Sequence, residues 1–174
     1  MRRLSERSWT PCHNALLFAP GNSCLGRLFL GMNIRFLYSH SACLRSIEIT
    51  REFLSFLQKN RYKYTWPFSD QSVYTDEDLM IQIKKDEAIF IPKRKCQELE
   101  QIFFARQTEI ARGWLRAREI NPSLAVLEKV DSFLTFYGPH GYFEAPNMVY
   151  INIAMGKPVF WLETVLHETL HLLV

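Results

Sequence analysis

No apolar run in the 174-residue chain approaches the roughly 20 residues that a helix needs to cross a bilayer, so no membrane span is expected. Seven Gly and eight Pro exclude collagen-like and linker-like chains, and 48% hydrophobic residues exclude wholesale disorder. The four Cys (Cys12, Cys24, Cys43, Cys96) are scattered and form no CxxC pair. That argues against a disulfide scaffold, a zinc finger and a dithiol redox site, and makes a reducing, cytoplasmic setting the default expectation. Acidic residues are scarce only at the start. Residues 1–35 carry five Arg against one Glu, whereas 36–174 carry sixteen Lys and Arg against seventeen Asp and Glu. The folded part is therefore nearly neutral, and no nucleic-acid footprint is expected on it.

Residues 1–31 mix Arg, Ser, Pro and short apolar patches without a sustained period, and read as a disordered or targeting-like extension. Residues 32–174 read as one α+β domain, a small mixed β-sheet packed on helices. Ile34–Tyr38 suits a short strand. From Ser46 to Asn60, Ile47, Thr50, Phe53, Leu54 and Leu57 fall on one helical face. Leu79, Ile81 and Ile83 alternate with polar residues ahead of Lys84-Lys85-Asp86-Glu87 and the apolar run Ala88–Ile91, which predicts a hairpin. A helix opened by the Thr75-x-x-Asp78 cap competes with it. Lys93 to Glu119 reads as one long helix with Cys96, Leu99, Phe103, Ile110 and Trp114 in a single stripe, so Cys96 is expected in the core rather than as a reactive thiol. Arg106, Arg112, Arg116 and Arg118 alternate with Glu100, Glu109 and Glu119, the pattern of a solvated surface. Phe133–Tyr137 and Met148–Ile153 read as strands around a Gly138–Gly141 loop. Pro146 just before the second marks it as an edge strand, and Pro158 suits the first turn of a last helix.

That last helix, PVFWLETVLHETLHLLV, contains His167-Glu168-Thr169-Leu170-His171. Residues four apart lie one turn apart on one helix face, so His167 and His171 can aim two imidazoles at one ion. Zn²⁺ is the expected cofactor, because a tetrahedral site needs such convergence. Glu168 is rotated about 100° from His167, which puts its carboxylate within reach of a metal-bound water as general base. Two His and one Glu at this spacing arise by chance in roughly one chain in a few hundred of this length. The remaining positions of the segment are mostly apolar, which predicts a buried helix that carries its polar residues inward. A surface or hydrogen-bonded His pair on an ordinary amphipathic helix is the alternative.

At these residues the sequence resembles the zincin metallopeptidases, over approximately residues 130–174, and small zincin-like proteins with a segment similar to LTFYGPHGYFEAPNMVYINI ahead of HExxH. The resemblance implies a zincin-like domain ending in its active-site helix. His167 and His171 would be metal ligands and Glu168 the catalytic base. Met148, Val149, Tyr150, Ile151 and Asn152 would form the edge strand that aligns a peptide or protein substrate by backbone pairing. Zincins take a third protein ligand C-terminal to HExxH. Val174 stands where the HExxHxxGxxH form needs Gly, so the gluzincin pattern fits better than the metzincin one. A downstream ligand would lie beyond Val174, and the C-terminal part of the domain is then expected to be missing. Upstream substitutes are Glu144, His140 and Glu163, the last better suited to orienting an imidazole. His13 and His40 have no motif partner. The expected activity is zinc-dependent peptide-bond hydrolysis. An inactive zincin-like fragment, or a zinc- and peptide-binding module, is the second expectation. RNA or membrane-surface binding through the Arg-rich start is the third.

Overall fold

The computed structural model describes residues 33–68, 74–124 and 127–173. The extension read over residues 1–31 lies outside them. Among the described residues the order is β1 (Asn33–Tyr38), α1 (His40–Glu52), α2 (Leu54–Lys59), β2 (Tyr64–Thr65), α3 (Asp76–Phe90), α4 (Pro92–Ala105) and α5 (Gln107–Ile120). There follow β3 (Lys129–Thr135), β4 (Gly138–Pro139), β5 (Gly141–Glu144), β6 (Met148–Asn152) and α6 (Pro158–His171). The fold is thus α+β with a mixed sheet, as expected. The four-stranded sheet runs β1-β3-β6-β5, and β2 pairs with β4 in a separate two-stranded ladder. β1, β3 and β6 are parallel, and β5 is antiparallel to β6.

Strand alternation divides the core into two faces. Ile34, Phe36, Val130, Leu134, Val149 and Ile151 point to one side, where they pack with Cys96, Leu99 and Phe103 of α4 and Leu162 and Val165 of α6. Leu37, Phe133 and Tyr150 point to the other, against Ala42 of α1. On that second face Phe133, Tyr150 and Tyr142 form a cross-strand stack, with ring centroids 5.4 Å and 4.5 Å apart. Such aromatic pairs add stability beyond the area they bury.

Several expected elements are corrected. The hairpin over Leu79–Ile91 is helix α3. Thr75 and Asp78 form a complete capping box, and Leu79 and Ile83, one turn apart, are the buried face. Five residues of apparent alternation are too few to outweigh a satisfied helix start. Pro92 disfavours the α conformation at the residue before it. Ile91 leaves the right-handed helical region for the left-handed one, at φ 49°, where α3 ends and α4 begins. The single helix over Lys93–Glu119 is two, broken at Arg106 with φ −105° and ψ 8°. The helix expected from Ser46 begins at His40 under a Ser39 cap and breaks at Phe53. The strand placed at Phe133–Tyr137 begins earlier, at Lys129, and ends at Thr135. His40 does find a partner: its Nε2 lies 2.7 Å from a Glu87 carboxylate oxygen, and the Tyr137 hydroxyl donates to neighbouring Asp86 at 2.5 Å. These contacts tie α1 and the segment after β3 to α3. Cys96 is fully buried, as its stripe position requires.

Candidate metal centre

Helix α6 is fixed on the sheet by one stripe. Trp161, Leu162, Val165 and Thr169 are buried. The Thr169 hydroxyl donates to the Val165 carbonyl at 2.6 Å, so even the polar member of the stripe is satisfied. At the helix start, Trp161 Nε1 donates to the Met155 carbonyl at 2.7 Å and tacks the first turn to the loop after β6. This pinning decides which way the motif faces. The expectation of a helix buried all round, with HExxH inward, is corrected: His167 and His171 are exposed and Glu168 is half-buried at the boundary. The apolar residues of the segment split between a buried stripe and exposed positions such as Val159, Phe160 and Leu170.

The two imidazoles converge. His167 Nε2 and His171 Nε2 are 3.2 Å apart, with the rings at 81° to one another. Two nitrogens that each stand 2.0–2.1 Å from one tetrahedral ion are separated by about 3.3 Å, so the pair fits two legs of a zinc site. Without an ion, the same spacing lets one ring donate an N–H to the other. Glu168 sits beside them. Burial raises its carboxyl above the ordinary range, and the two neighbouring histidines oppose that shift. A carboxylate moved in that direction is a better proton acceptor.

The strand along the site is β5, not β6. β6 pairs with β3 on one side and β5 on the other, so its backbone cannot accept an added strand. The substrate role implied for Met148, Val149, Tyr150, Ile151 and Asn152 is therefore corrected. Val149 and Ile151 lie in the core, and Asn152 is spent internally, donating to Thr65 Oγ1 at 2.6 Å and the Gly138 carbonyl at 2.7 Å. Pro146 marks no edge strand either. It lies in the turn between β5 and β6, outside the ladder.

Alternate residues of β5 face opposite ways. Gly141 and Phe143 face α6. A Cβ on Gly141 would stand 2.5 Å from Thr164 Cγ2 and 3.2 Å from Glu168 Cγ, so only glycine lets the strand lie this close to the helix. Phe143 stacks on His171, with ring centroids 5.3 Å apart and planes within 13°. Tyr142 and Glu144 face α1. Tyr142 stacks on Tyr150, and Glu144 accepts from Arg45 Nε at 3.0 Å and Nη2 at 2.5 Å. Arg45 holds the Glu144 carboxyl below its usual range.

The upstream substitutes for a third ligand do not join the pair. Glu144 is taken by Arg45 on the other face of its strand. Glu163 is exposed, and its charge acts on Arg106. The His140 side chain is exposed, while its carbonyl accepts from the Asn152 N–H at 3.0 Å. Among the described residues no group of three His, Cys, Asp or Glu is placed to hold a metal ion. Gly141 and Phe143 are the site neighbours that the sequence reading missed. The Gly-Tyr-Phe-Glu alternation two residues ahead of Pro146 was their available signal.

No family model, curated protein or solved structure matches the chain.

Proposed function

We propose that the chain carries two legs of a Zn²⁺ site, His167 and His171, with Glu168 as the acid–base group of a peptide-bond hydrolase. The observation that supports this reading is the 3.2 Å separation of the two Nε2 atoms on adjacent turns, with a half-buried carboxylate beside them. Zn²⁺ there would supply Lewis acidity, making a water more acidic and polarising a carbonyl. The protein's own part is separate. Both imidazoles present their Nε2 atoms to one point. Glu168 stands one residue from the first of them, where it can take a proton and return it to a leaving amine. Among the described residues β5 is the sheet edge nearest the helix, so the substrate-aligning role passes from β6 to Gly141–Glu144.

The test measures zinc stoichiometry and cleavage of an unstructured protein substrate. His167→Ala and His171→Ala should each lose bound zinc. Glu168→Gln should keep zinc and lose about 10²–10⁴-fold in cleavage rate, the usual contribution of a positioned acid–base group. Stoichiometric zinc that survives either His substitution, or cleavage indifferent to Glu168→Gln, would overturn the reading.

A metal- and peptide-binding module without turnover is the second reading. It is favoured by the lack, among the described residues, of a third ligand beside the pair. Zinc bound through both histidines, with wild-type and Glu168→Gln proteins equally inert, would establish it.

A further inference from the structure

We propose that Phe143 is a positioning residue that holds the imidazole of His171 toward His167. The inference rests on the metal-site reading above and concerns what fixes one of its ligands. His171 is the last residue of α6 and is exposed, so the helix alone leaves its side chain free to leave the His167 direction for other staggered rotamers. Two ring contacts restrain it: His167 at 4.8 Å between centroids, and Phe143 at 5.3 Å in a near-parallel stack.

The strand that presents Phe143 is anchored on both sides of it. Gly141 is wedged against Thr164 and Glu168, Tyr142 is stacked on Tyr150, and Glu144 is gripped by Arg45. The phenyl ring is thus delivered from a fixed backbone, as a supporting residue for a site must be. Its exposure argues the same way. Phe143 is 43% exposed on a sheet edge, where charged residues are the usual protection against unwanted pairing. A half-exposed ring adds little to the core, and its covered side lies on His171.

The experiment measures Zn²⁺ affinity by calorimetry and His171 ring-proton shifts by NMR, in wild type, Phe143→Ala, Phe143→Leu and Phe143→Tyr. The stack predicts an upfield ring-current shift of the His171 protons that Phe143→Ala and Phe143→Leu remove and Phe143→Tyr retains. Zn²⁺ affinity should fall about 3- to 10-fold in the first two and recover in the third, matching what one aromatic pair contributes. Leu keeps apolar bulk without a planar face, so it separates stacking from mere packing. Unchanged affinity in Phe143→Ala and Phe143→Leu, while His171→Ala loses zinc, would overturn the proposal and leave the metal site standing. Equal zinc affinity in wild type and His171→Ala would overturn the metal-site reading and the Phe143 role with it.

Discussion

The two faces of β5 are built on different principles. The face toward α1 is tied by a charged pair, Arg45–Glu144, and by the aromatic stack that continues through Tyr142 and Tyr150 to Phe133. The face toward α6 has one residue without a side chain and one ring that rests on a histidine. The first face holds the strand, and the second sets what the strand presents to the HExxH turn. A four-residue strand whose outward residues are tethered can leave its inward residues to the needs of a site.

The largest effect should come from filling the inward face. Gly141→Val puts side-chain carbons where Thr164 and Glu168 already stand, and overpacking of this kind costs about 2–3 kcal/mol. Because the clash lies at the helix contact, β5 should lift from α6, and the His171 ring-current shift should shrink along with the melting temperature. A loss of stability with the His171 resonances unmoved would show that the face toward α6 does not set the position of the His171 ring.

Breaking the tethered face should cost less. Arg45→Ala removes two charge-assisted hydrogen bonds and leaves Glu144 partly covered, at about 1–2 kcal/mol once solvent screening is allowed for. The pH dependence has a fixed sign. Glu144 has a folded-state pKa below its unfolded value, so the pair stabilises fully above the ordinary carboxylate range. That contribution disappears as pH falls through the lowered folded value. The stability gap between wild type and Arg45→Ala in urea melts should therefore be full at pH 7 and close on acidification below about pH 4. A gap that widened in acid would place the stabilisation elsewhere.

The smallest effect serves as the control. Thr75→Ala removes one half of the α3 capping box, remote from both faces, and should cost about 1 kcal/mol. It should leave the zinc affinity and the His171 signals at their wild-type values. A change in either would mean that any loss of stability loosens the site, whichever face of β5 is altered.

Much of the architecture was legible, for physical reasons that also explain the failures. The strands at Ile34–Tyr38 and Met148–Ile153 are legible as short apolar runs that bury residues on both faces, and the last helix as one buried stripe. The break at Arg106 was hidden because Phe103 and Ile110 are seven residues apart, two full turns, so the stripe stays in phase across it. The α3 capping box is visible in Thr75 and Asp78, beside a short alternation that points the other way. The histidine pair was read directly, since helical spacing places both imidazoles on one face whatever the surroundings. Which strand lies beside them could not be read that way. Strand order depends on pairing between segments, and β5 is short, bounded by Gly141 and the turn at Pro146. The outward aspect of the motif is hidden for a related reason: apolar composition around HExxH suggests burial on every side, whereas Val159, Phe160 and Leu170 remain exposed.

The brevity of β5 has a consequence of its own. Four extended residues measure about 13 Å, so this border is a ruler with few divisions. A chain laid along it can be read by main-chain pairing over no more than that length, and any longer selectivity must come from side chains beyond the ladder. The same shortness guards the molecule against its own copies, because so brief a seam gives two sheets little to zip together.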